Sequence, residues 1–75
     1  MYTVELIGST PNADAAALVT LVRDFSSMSL AASTREVDRL MAGGAVSLVF
    51  DKLHDARVFA SQAEALGAVV YEGAV

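Results

Sequence analysis

The chain has 75 residues, of which 55% are hydrophobic, and its five basic and nine acidic residues give a formal net charge of −4. A chain of this length predicts one domain over residues 1–75 with a small core, since such a domain buries only about 60% of its unfolded surface. The scattered basic residues argue against nucleic acid and against an anionic membrane, both of which need concentrated positive charge, so we expect a protein partner or a second copy of the chain.

The first third of the chain predicts a strand and a helix. Period-two alternation with β-branched residues predicts a strand over residues 2–7, and the glycine, proline and asparagine of residues 8–12 end it. From Leu18 onward, apolar residues repeat at i, i+3, i+4 and i+7, which predicts a helix over residues 14–25. Asp14 stands where this helix would take its N-cap.

A second helix is predicted before a pair of glycines. Ser33 and Glu36 fit the S-x-x-E capping box at the start of this helix, and Ser29 is a competing start. Gly43 and Gly44 supply the C-terminal stop. The apolar face of this helix is predicted to hold Leu30, Val37, Leu40 and Met41.

The remaining residues predict a strand, a helix and a final strand. Residues 45–50 alternate and predict the second strand, after which Asp51 stands in an N-cap position. Apolar residues from Leu53 onward indicate a third helix that Gly67 ends. Residues 68–72 then predict the third strand.

This order of elements, β-α-α-β-α-β, predicts a two-layer α/β sandwich. Two helices between the first two strands make those strands antiparallel, and one helix between the last two makes them parallel. A three-stranded antiparallel sheet follows if the first strand is central, with all three helices on one face. The other, open face is then predicted to hold Thr3, Glu5, Ile7, Ser47, Val49, Val70 and Glu72.

Several segments resemble a known family. Residues 55–56 and 63–70, D-A and A-E-A-L-G-A-V-V, are similar to the D-A-E-x-L-K-x-x-L-E-x-A-G-A-x-V ending of the C-terminal domain of the ribosomal stalk protein L7/L12. Residues 21–23 are similar to a helix segment of that family, and residues 28–30 stand at the position of its glycine-rich turn. In size and element order the chain also resembles the related fold of the protease adaptor ClpS.

The resemblance implies a domain that binds a protein. The stalk domain recruits translational GTPases through a patch around its first two helices, where Arg23 matches, and ClpS binds the N-terminal residue of degradation substrates. The resemblance and the clustering of arginine together predict a partner surface at Arg23, Met28, Arg35 and Arg39. The alternative is a solvated face on which these arginines pair with Asp24, Glu36 and Asp38.

The remaining reactive side chains predict no catalytic or metal site. If His54 acts in acid–base chemistry, Asp51 is its orienting partner, and an exposed first-turn histidine is the alternative. One histidine and no cysteine leave too few ligands for zinc, and no calcium-loop spacing is present. Residues 9–12 either bind an anion at the helix N-terminus or form a plain turn with capping residues. We therefore expect no cofactor, no metal and no enzyme.

The sequence favours a non-enzymatic, adaptor-type protein-interaction module. The alternative is a small-ligand-binding or regulatory domain that acts as a homo-oligomer, with its site between subunits because so short a chain scarcely encloses a pocket. A C2 homodimer through the open face would use Ile7, Val49 and Val70, provided that Glu5 and Glu72 lie at the rim. With no cysteine and no secretory segment, the sequence favours a cytoplasmic location.

Overall fold

The fold is a sheet with helices packed on one of its faces. The computed structural model describes residues 1–74, with the side chains of residues 1–71. In that part of the chain the elements are β1 (Tyr2–Ser9), α1 (Ala15–Phe25), α2 (Leu30–Met41), β2 (Val46–Phe50), α3 (Leu53–Ala65) and β3 (Ala68–Ala74). The strand order is β2-β1-β3, and both neighbouring pairs are antiparallel. The predicted two-layer fold is confirmed.

Alternate residues of the strands form the core with the helices. Val4 and Leu6 of β1 are at most 1% exposed, and β2 buries every second residue in the same way. The apolar faces of α2 and α3 pack against this side of the sheet, and α1 packs against α2 and α3. The rings of Phe25, Phe50 and Phe59 form a cluster with centroids 5.4 to 6.3 Å apart, with Phe50 and Phe59 in the core and Phe25 packed against it.

The turn between α3 and β3 is hydrogen-bonded to the loop between β1 and α1. The backbone N–H of Thr10 donates to the Gly67 carbonyl at 2.7 Å, and that of Asp14 donates to the Leu66 carbonyl at 2.9 Å. Gly67 has a φ of 98°, and a Cβ added there would lie 2.5 Å from the Ala13 Cα. Only glycine suits this position, because a left-handed backbone and so close an approach each disfavour a side chain.

Helix α2 begins at the competing start rather than at the capping box. Ser29 is the N-cap, and its Oγ accepts a hydrogen bond from the N–H of Ala32 at 3.1 Å. Ser33 is fully buried inside the helix, on the same face as Val37 and Leu40, so its prediction as a cap is wrong. The Ser33 Oγ has no hydrogen-bond partner among the described residues.

Both ends of the predicted apolar face of α2 are exposed. Leu30 is 56% exposed and Met41 is 40% exposed, so only the middle of that face is buried. The helix ends at glycines as predicted. Gly43 has a φ of 100°, and the N–H of Gly44 donates to the Arg39 carbonyl at 2.8 Å. This bond satisfies a carbonyl that the last helical turn would otherwise leave free.

Candidate functional site

The face of the sheet opposite the helices is the candidate functional site. On it, Thr3 of the central strand β1 lies opposite Val49 of β2, and Glu5 lies opposite Ser47. Residues that face each other across an antiparallel ladder point to the same side of the sheet. Among the residues whose side chains are described, the open face consists of Thr3, Glu5, Ile7, Ser47, Val49, Val69 and Tyr71.

The register of β3 places Val70 on the core side. Val70 lies opposite the buried Leu6 and packs against the core, so its predicted place on the open face is wrong. The sequence of β3 permits either orientation, because apolar residues fill positions 68–71 without alternation. Pairing with β1 decides between them, and Tyr71, opposite Glu5, faces outward instead.

A β-bulge near the end of β1 shapes the apolar part of the open face. Leu6 lies opposite Val70 but Gly8 lies opposite Val69, so β1 carries one extra residue there. Ile7 and Gly8 therefore share Val69 as their neighbour. Because Gly8 has no side chain, Ile7 and Val69 stay 50% and 43% exposed. The sequence signal for this feature is Gly8 itself, since a glycine within a strand often marks a bulge.

Glu5 lies at the centre of the open face. It is half-buried on the middle strand, with Ser47 beside it on β2 and Tyr71 beside it on β3. The predicted homodimer required Glu5 to lie at the rim of its interface. That requirement is not met, because a residue in the middle of the central strand has neighbours on both sides. Glu72 pairs with Val4 in the backbone ladder, and its side chain lies outside the described part.

Four large apolar side chains of the described part of the chain are exposed around Glu5. Ile7, Val49, Val69 and Tyr71 are between 43% and 60% exposed. Ile7, Val69 and Tyr71 are neighbours on β1 and β3, whereas Val49 lies beyond Glu5 on β2. Clustered apolar side chains of this kind mark interaction surfaces more often than isolated ones do.

The predicted arginine surface, Arg23, Met28, Arg35 and Arg39, is spread along the α1–α2 pair. Arg35 and Arg39 are one turn apart on α2 and share a face. Arg23 is in the last turn of α1, beside the turn to α2. Arg39 is in the last turn of α2, about 14 Å of helix rise from that turn. The structure thus brings two of the arginines together and sets Arg23 apart from Arg39.

Arg39 interacts with its own helix and with the glycines that follow it. Its Nη2 contacts the Glu36 Oε1 at 2.9 Å, as the solvated alternative predicts. Its side-chain stem covers Gly44, where an added Cβ would lie 2.7 Å from the Arg39 Cγ. An exposed ion pair of this kind contributes at most about 1 kcal/mol. The contribution of Arg39 to partner binding stays a prediction.

Met28 lies partly buried in the turn between α1 and α2, and its role in partner binding stays a prediction. The residue is half-buried and packs against the core. Ser26 holds the turn in which it lies, because its Oγ donates to the Val22 carbonyl at 2.6 Å and accepts from the N–H of Met28 at 3.2 Å. The side chain of Met28 therefore contributes mainly to the core.

His54 is exposed in the first turn of α3. The described side-chain hydrogen bonds include none between His54 and Asp51. The N-cap of α3 is Lys52, whose side chain makes no capping bond, so the prediction of Asp51 as N-cap is wrong. Asp55 in the first turn instead faces the positive end of the helix dipole.

The N-terminus of α1 is capped from within the chain. The Asp14 Oδ1 accepts a hydrogen bond from the N–H of Ala17 at 3.0 Å, which confirms the predicted N-cap. The N–H of Ala13 donates to the Thr10 carbonyl at 3.1 Å. A carboxylate therefore already occupies the position that an external anion would take at this helix end, and the loop fits the plain-turn alternative.

The described residues contain neither a cluster of metal ligands nor a membrane-spanning helix. No three Asp, Glu or His side chains among them gather closely enough to hold a metal ion. None of the helices in that part of the chain has the length and apolar character needed to span a membrane.

Comparison with known proteins assigns no family to this chain. No protein-family model matches it, and no curated protein matches its sequence. The resemblance to the stalk and ClpS domains stays an expectation. The geometry of the open face is therefore the basis on which a function is inferred.

Proposed function

We propose that this chain is a non-enzymatic protein-interaction module whose partner docks on the open face. The observation that carries the proposal is the exposure of Ile7, Val49, Val69 and Tyr71 on one side of the sheet. A sheet with apolar residues on both faces is typical of a layer that packs against other elements on each side. The helices cover one face, and the partner covers the other.

The open face supports docking better than the arginine surface does. Burial of apolar area contributes about 25 cal/mol per Å² before the costs of association. Exposed arginines with acidic neighbours, such as Arg39 beside Glu36, contribute little to affinity. Tyr71 adds an aromatic ring of the kind enriched in binding hot spots. Arg23 and Arg35 are better suited to steering a partner, which changes the association rate more than the affinity.

Affinity capture with matched variants tests the docking site. The immobilised baits are the wild-type chain, Val69→Asp on the open face, the double variant Arg35→Glu and Arg39→Glu on α2, and His54→Ala outside both surfaces. Bound proteins are quantified by mass spectrometry, and circular dichroism verifies that each bait is folded. We expect Val69→Asp to reduce capture at least tenfold, while His54→Ala and the double arginine variant retain most of it.

Other capture results would place the docking site on another surface or contradict it. Loss of capture with the double arginine variant alone would assign docking to α2 rather than to the open face. Equal capture by every folded variant would contradict docking at either surface.

A further inference from the structure

The open face has the dimensions of a single α-helix. Neighbouring strands are about 4.8 Å apart, so β2 and β3 lie about 10 Å from each other, which is the diameter of a helix with its side chains. The paired residues of β1 and β2 extend for about 17 Å, and a helix of about three turns covers that length. A strand added at the edge of the sheet would leave the exposed apolar side chains uncovered.

Glu5 adds a chemical requirement to this shape. The residue is half-buried between Ser47 and Tyr71, and docking removes its carboxylate further from water. A carboxylate in that position is stable only when a cation or hydrogen-bond donors meet it. None of the three strands contains lysine or arginine. The described side-chain hydrogen bonds include none that reaches the Glu5 carboxylate, so we expect the partner to supply the cation.

We infer that the open face binds an amphipathic helix of a partner protein whose apolar stripe contains one lysine or arginine that pairs with Glu5. The inference rests on the proposed function and names the chemistry of its partner. Apolar residues of the partner helix on one side of that cation contact Ile7, Val69 and Tyr71. Apolar residues on its other side contact Val49. A second copy of this chain fits less well, because the same face would bring another Glu5 in place of a cation.

Selection from a phage-displayed library of amphipathic helices of about 18 residues, or five turns, tests the inference. The bait is the full chain, and the library keeps an apolar stripe while one position in its middle is randomised. We expect lysine or arginine to be enriched at that position with the wild-type bait, and aspartate or glutamate with Glu5→Lys. Glu64→Lys makes the same charge change at an exposed position of α3, and it should select as the wild type does.

The selected peptides then identify the site and the role of the charge. A basic peptide should bind Glu5→Gln at least tenfold more weakly than the wild-type chain, and it should shift the amide NMR signals of β1, β2 and β3. Open-face binders without a preference for a cation would overturn this inference and leave the interaction module intact. Binders confined to α1 and α2 would contradict docking on the open face as well. A library that yields no helical binder would overturn the inference alone.

Discussion

Among the described glycines, Gly67 is the one at which the fold most strictly excludes a side chain. Its φ is 98°, and an added Cβ would lie 2.5 Å from the Ala13 Cα and 2.9 Å from the Thr10 Oγ1. We expect Gly67→Ala to lower the free energy of unfolding by more than the roughly 1 to 2 kcal/mol that a left-handed backbone alone costs, because the loop between β1 and α1 must also move. Urea denaturation followed by circular dichroism measures the change.

Gly43 provides the matched control for that substitution. Its φ is 100°, but no described atom outside its own chain neighbours lies within 4 Å of an added Cβ. Gly43→Ala should therefore carry only the backbone cost. Equal losses for the two variants would show that contact with the β1–α1 loop does not restrict position 67.

Ser33→Ala is expected to stabilise the protein. The Ser33 Oγ is buried and has no partner among the described residues, and an unpaired buried polar group costs about 1 to 3 kcal/mol. Alanine removes the hydroxyl and is the better helix former. We expect a gain of about 0.5 to 1.5 kcal/mol in the free energy of unfolding, measured in the same denaturation experiment.

Ser61→Ala separates the two contributions to that gain. Ser61 is exposed in α3, so its replacement improves only helix propensity. If Ser33→Ala stabilises no more than Ser61→Ala does, the buried hydroxyl carries no penalty. If Ser33 capped the helix, its replacement would instead destabilise the protein by about 1 kcal/mol.

At the scale of the elements, α2 depends on Ser29 for its start. The Ser29 Oγ accepts a hydrogen bond from the N–H of Ala32. The first turn of α2 contains no acidic residue that would also stabilise this end of the helix. Ser29→Ala should lower the free energy of unfolding by about 1 kcal/mol and accelerate hydrogen exchange at the amide of Ala32. Ser27→Ala, at an exposed position in the connection between α1 and α2, should change stability by less than about 0.5 kcal/mol. Equal effects of the two variants would rule out a capping role for Ser29.

The order of the elements was predictable because local chemistry specifies it. Asp14 caps α1 and Gly67 ends α3 as predicted, since each depends only on groups within a few residues. The start of α2 was less predictable, because Ser29 and Ser33 both fit a cap. Tertiary packing buries the face of α2 that contains Ser33, and Ser29 is therefore the residue that caps the helix.

The candidate site was predictable only where the strands alternate clearly. Ile7 and Val49 are exposed as predicted, because β1 and β2 alternate. Val70 was assigned to the wrong face, since the apolar run in β3 has no alternation and its register is set by a strand distant in sequence. Tyr71 was missed for the same reason. The binding roles proposed for the open face stay predictions.

At the scale of the whole molecule, Glu5 opposes the homodimer that the sequence predicts. A two-fold axis near the centre of the open face would bring two Glu5 carboxylates together, and like charges 4 Å apart repel by about 1 kcal/mol in water or about 4 kcal/mol near a protein surface. We therefore expect the wild-type chain to self-associate only weakly.

Glu5→Val is expected to strengthen self-association. It removes the repulsion and joins Val49 to Ile7, Val69 and Tyr71 in one apolar strip. Sedimentation velocity across micromolar concentrations should show a dimer at least tenfold tighter than that of the wild type. Two controls support this assignment: Glu64→Val, on the helical side, should leave association unchanged, and adding Val49→Asp to Glu5→Val should return the monomer. A wild-type dimer that Val49→Asp dissociates would instead show that the interface accommodates Glu5 at its centre. A Glu5→Val chain that stays monomeric would show that removing the charge is not enough for two open faces to associate.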